Sequence, residues 1–131
     1  MTQPENRDYK HFMQDLSNVY IGARFTYGEL IDEEEIPFKI KKMINQHIKP
    51  ELEDDDPSLE SHLYYMKGSG FAYQTFLQLK ARVRISILKN GKYTTTTMKL
   101  QDFVKIDPAD KEKQGVMIQE IIFSKLALMT L

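Results

Sequence analysis

The chain has 131 residues, 41% hydrophobic and 28% charged, with a formal net charge of −1, which is the length and balance of one globular domain. It has no cysteine, which excludes disulfides, thiolate nucleophiles and Cys-based zinc or iron–sulfur sites. Residues 1–131 are read as a single α+β domain with 1–7 as a mobile arm. A polar N-terminus and the lack of any apolar run of about 18 residues point to a cytoplasmic, membrane-free protein.

Taken in chain order, Asp8 is placed to cap a short helix, since Tyr9, Phe12, Met13 and Leu16 recur at helical spacing until Ser17-Asn18 breaks it. Residues 19–27 alternate, with Val19, Ile21, Ala23, Phe25 and Tyr27 on one side, and read as a strand. Asp32 to Glu35 and Pro37 then open a helix whose apolar stripe is Ile36, Ile40, Met43, Ile44 and Ile48, ended by Lys49-Pro50. After an acidic loop, Asp56-Pro57 caps a second helix with Leu59, Leu63 and Met66 inward, closed by Gly68-Ser69-Gly70.

From Phe71 to Ile87 a period of two predicts one long strand that must bend or be interrupted, because at about 3.3 Å per residue it would outrun a small domain. Asn90-Gly91 supplies a type I′ turn, which sets Ile87 opposite Thr94, Ile85 opposite Thr96, Val83 opposite Met98, Ala81 opposite Leu100, Arg84 opposite Thr97 and Arg82 opposite Lys99. The return strand is expected to reach Ile106. The last element, Val116 to Leu131, is apolar on both faces and reads as a central strand, with a buried helix as the alternative.

The order α-β-α-α-β-β-β predicts helices packed on one face of a long, curved antiparallel β-sheet. That layout resembles cystatin-like and NTF2-like folds by analogy only, since no motif of either occurs, and layout does not give function.

The search for chemistry returns absences. His11, His47 and His62 share no metal-ligand spacing, and Glu51 to Pro57 lacks the glycine and ligand spacing of a calcium loop, so no metal is assigned. There is no G-x-S-x-G elbow and no Gly-rich phosphate loop, so no catalytic residue and no cofactor is assigned. A pocket between helices and sheet holding Tyr64, Tyr65, Tyr73 and His62 is the alternative, for small-molecule binding or acid–base chemistry.

Charge segregation is the unusual feature. Residues 29–60 carry 11 acidic and 4 basic side chains, whereas 67–105 carry 8 basic and 1 acidic. Lys80, Arg82 and Arg84 alternate along one strand with Lys99 across from Arg82, and like charges so placed call for a compensator. The candidates are the acidic helices, a second protein surface, or nucleic acid. The last has only Phe76 and Phe103 as stacking aromatics and a pI near 6.3 against it. The apolar C-terminus, with Leu126, Leu128, Met129 and Leu131, also calls for cover. The expectation is a non-catalytic protein–protein interaction or assembly subunit, its partner another copy or another protein, joined through Lys80, Arg82, Arg84, Lys99 and this C-terminal surface.

Overall fold

The computed structural model describes residues 9–131, so the expected arm and the Asp8 cap lie outside the described residues. Five strands form one antiparallel sheet in the order β1-β2-β5-β3-β4, where β1 is Phe12–Gln14, β2 Asn18–Gly22, β3 Arg82–Lys89, β4 Lys92–Lys99 and β5 Met117–Ser124. The helices are α1 (Tyr27–Asp32), α2 (Phe38–Met43), α3 (Lys49–Leu52), α4 (Leu59–Tyr64), α5 (Phe71–Gln78), α6 (Leu100–Phe103), α7 (Pro108–Lys113) and α8 (Lys125–Thr130). The α+β class and the layered arrangement are those expected, though several elements change type.

The sheet buries one face. Val19 and Ile21 sit opposite Phe123 and Ile121, and Ile121 opposite Val83, all in a core shared with Ile40, Ile44, Ile48, Leu59, Leu63, Phe76 and Phe103 from the helices. The five-residue stripe predicted for the main helix is wholly buried. That helix does not stop at Lys49-Pro50. A π-helical stretch over Ile44–Ile48, in which the Lys49 N–H donates to the Ile44 carbonyl, links α2 to α3. Pro50 then falls in the first turn of α3, where its missing N–H is no loss.

Four expected strands or helices are corrected. The strand predicted over 19–27 ends at Gly22, and Tyr27 instead opens α1, capped by Thr26. Where a helix was expected from Tyr9 to Leu16 stand β1 and a tight turn: Asp15 Oδ1 accepts the N–H groups of Ser17 and Asn18 at 2.9 and 2.8 Å, so the aspartate folds the chain back into a hairpin. Leu16, predicted inward, is fully exposed at the tip. The long strand predicted over 71–87 begins as helix α5, because Ala72, Tyr73, Thr75, Phe76 and Leu79 also satisfy helical spacing and are the residues buried. The return strand ends at Lys99, where Leu100 and Phe103 turn inward on α6.

The hairpin itself has the register counted from Asn90-Gly91, Arg82 opposite Lys99 and Arg84 opposite Thr97 included; both turn residues have positive φ (51° and 75°). The last element combines both readings. β5 is the central strand, and at Ser124, whose Oγ accepts the Ala127 N–H, it passes into α8. No helix of the described residues is long and apolar enough to cross a membrane.

Candidate functional site

Helix α5 ends in a Schellman turn: the Lys80 N–H donates to the Leu77 carbonyl and the Ala81 N–H to that of Phe76, both at 3.0 Å. The left-handed position of such a turn usually holds glycine, yet here it holds Lys80 at φ 55°. A lysine there costs about 1 kcal/mol of backbone strain. The turn aims the chain into β3 and sets Lys80 beside Arg82. Lys99, at the far end of β4, faces Arg82 across the hairpin. Lys80, Arg82 and Lys99 therefore converge on one groove of about 520 Å³, completed by Leu77, Ala81, Gln101 and Ser124. Among the described residues no carboxylate lines it, and none pairs with Lys80 or Lys99. Arg82 is steadied by Asn18, whose Oδ1 accepts from Nη2 at 2.7 Å.

Arg84 does not share this freedom. It lies on the open face of the sheet opposite Glu120 of β5, and its Nη1 is 2.6 Å from Glu120 Oε1. The same carboxylate, buried, holds His11 Nε2 at 2.6 Å from Oε2. The compensator of Arg84 is thus an acid in the sheet itself. The acidic helices pack on the opposite face and do not cover it. Gly22 of β2, directly opposite Glu120, lets Tyr9 and His11 close over the strand: a Cβ there would meet the Tyr9 carbonyl oxygen at 2.0 Å.

At the C-terminus, Leu128 is buried in the chain's own core, whereas Leu126, Met129 and Leu131 are exposed. Lys39 Nζ donates to the Met129 carbonyl at 2.7 Å and ties α8 to α2. Phe76 and Phe103, the two stacking candidates, are completely enclosed in the core, so the basic groove has no aromatic lining.

The space between helices and sheet is filled by that core. Three of the four residues considered for a pocket there, His62, Tyr65 and Tyr73, meet instead along a surface groove with Glu51. Behind it the Tyr27 hydroxyl, fully buried and held protonated well above its ordinary range by that burial, is hydrogen-bonded to His62 Nδ1 at 2.6 Å. Burial likewise lowers the His62 pKa, with the charge of Glu51 pulling the other way. Glu51 Oε2 accepts the Ala72 N–H at 2.6 Å and so caps α5. Tyr64 lies apart: its carbonyl accepts from Nζ of the buried Lys111, 2.8 Å away. Among the described residues no three acidic or histidine side chains cluster as metal ligands; His47 is exposed beside Lys42 and Gln46.

The Lys111 contact and the Glu120 cluster escaped the sequence reading. Lys111 sits in a run of charged residues with nothing local to mark it as buried. Glu120 was one acid in an apolar strand, and an isolated charge at a central-strand position was the available signal. No protein-family model matches the chain, and no curated protein matches it.

Proposed function

We propose that this chain is a non-catalytic protein-interaction subunit that receives an acidic surface of a partner protein in the groove formed by Lys80, Arg82 and Lys99. The observation that carries the reading is three cations converging on a groove that no acid lines among the described residues, while the neighbouring Arg84 is neutralised within the sheet. Like charges held together cost free energy unless an anion joins them. Lys80 strengthens the case, because glycine would relieve its backbone strain and lose only the side chain. A protein partner is favoured over nucleic acid because the groove offers no ring for a base to stack on.

The test is fluorescence anisotropy of a labelled glutamate-rich peptide with the wild-type protein and with Lys80→Glu/Lys99→Glu, alongside a labelled single-stranded RNA of equal charge. The reading expects the peptide to bind at low salt, the double variant to lose at least tenfold in affinity, and the RNA to bind more weakly than the peptide. Equal binding by the double variant overturns it, and tighter binding of RNA transfers the groove to nucleic acid.

A further inference from the structure

The two edges of the sheet are built differently. β1 is three residues long and followed at once by a tight turn, a blunted edge. β4 runs for eight residues, Lys92–Lys99, and among the described residues is paired only with β3. It contains no proline and no bulge, and at its centre stand four consecutive threonines, β-branched residues suited to an extended chain. Lysines stand only at its two ends.

The register shows which of its groups are available. In a two-residue hairpin the residues flanking the turn, Lys89 and Lys92, exchange hydrogen bonds, and bonded pairs then alternate along the ladder. Thr94, Thr96 and Met98 thus spend their amide groups on β3, and the next bonded pair is confirmed by the Leu100 N–H donating to the Ala81 carbonyl at 3.0 Å. Tyr93, Thr95, Thr97 and Lys99 point theirs outward, and among the described residues no backbone group accepts from them. These outward groups span roughly 20 Å, at about 3.3 Å per residue, enough for a strand of about six residues.

We propose that β4 is the docking edge for an extended acidic segment of a partner protein, which adds to the sheet as a sixth strand and runs its acidic end into the Lys80–Arg82–Lys99 groove. The proposal rests on the reading of that groove given above and identifies how the partner is held. Lys99 belongs to both sites, as the last residue of β4 and as part of the groove wall, so a strand laid along β4 leads there without a break. Charge selects the occupant: Lys89 and Lys92 flank the other end of the edge, so both ends of the added strand meet cations. Backbone pairing supplies affinity, and the terminal lysines and Arg82 supply selectivity for acids.

The experiment is amide hydrogen exchange followed by NMR on the full chain, with and without a synthetic ten-residue peptide alternating valine and glutamate. Exchange at Tyr93, Thr95, Thr97 and Lys99 is expected to slow at least tenfold on binding. The variant Thr95→Pro/Thr97→Pro, which removes two outward N–H groups and no ladder donor, is expected to weaken the peptide at least tenfold. Unchanged exchange at Thr94 and Thr96 in that variant shows the hairpin intact. Peptide that binds without slowing the four amides, and equally to the proline variant, overturns the edge while leaving the groove reading standing. Slowed amides with full affinity in Lys80→Glu/Lys99→Glu overturn the acidic character of the occupant and the groove reading with it. Protection of the four amides without peptide, rising with protein concentration, assigns the edge to a second copy and overturns the proposal, as does no binding at millimolar peptide.

Discussion

Tyr27 is closed in on all sides, and its hydroxyl lies 2.6 Å from His62 Nδ1, so the imidazole faces a buried, uncharged phenol. Burial lowers the His62 pKa in the folded chain, against the opposing charge of Glu51. The unfolded chain, with its histidine near 6.5, then binds the proton more readily than the folded one. This stabilising contribution is complete above about pH 6.5 and is lost as pH falls through the lowered folded value. Urea unfolding between pH 8 and 5 is expected to show stability falling below pH 6.5, with a slope no steeper than about 1.4 kcal/mol per pH unit from this group. His62→Gln should flatten that limb. Glu60 does not produce it: burial raises its pKa, which acts in the opposite sense and nearer the carboxylate range. A limb unchanged in the variant would remove His62 as its source. Neither partner advertised the other, since 35 positions separate Tyr27, placed on a strand, from His62, placed on a helix.

Among the elements, α4 and α7 are joined by Lys111, whose ammonium reaches the carbonyl of Tyr64, the last residue of α4, and lies 4.3 Å from the centre of the Phe103 ring. A cation at a helix C-terminus meets unsatisfied carbonyls and the negative end of the dipole. Burial lowers its pKa, and Asp107 acts against that. Lys111→Met keeps the apolar stem and loses the bond and the ring contact, at a cost of about 1–2 kcal/mol. Lys111→Ala also leaves a cavity and is expected to cost about 2–4 kcal/mol. Chemical denaturation of both variants checks the order; Lys111→Met as stable as the wild type would show that the bond contributes nothing. The elements legible in the sequence are those set by neighbours in the chain. Asn90-Gly91 fixed the hairpin, and the spacing from Ile36 to Ile48 fixed the main helix. Residues 71–79 satisfy both the strand and the helix period, and Glu51, far earlier in the chain, caps the helix that forms. Similarly, the π-helical stretch that carries the main helix through Pro50 leaves no mark in the apolar pattern.

Over the whole molecule, the segregation of charge seen in the sequence survives folding in a reduced form. Glu120, from the C-terminal strand, takes Arg84, and Glu29 of the acidic segment takes Lys10. The candidate groove was legible in part: Lys80, Arg82 and Lys99 were named from alternation and register, but Arg84 was grouped with them because Glu120 is paired to it only through the sheet. Leu128 was misplaced for a similar reason, since the strand-to-helix switch at Ser124 rotates it into the core. The proposed partner site is the cationic groove together with the open strand edge that leads into it.

The most direct test is light-scattering mass across a size-exclusion column at 0.05 M and 1 M salt, for the chain alone and mixed with a carrier protein bearing the valine–glutamate strand. The chain alone is expected to elute as a 15.4 kDa monomer at both salts. The mixture should give a one-to-one complex at low salt that dissociates at 1 M, where the screening length drops to about 3 Å. A chain that self-associates at both salts, or that forms no complex at low salt, would contradict the account.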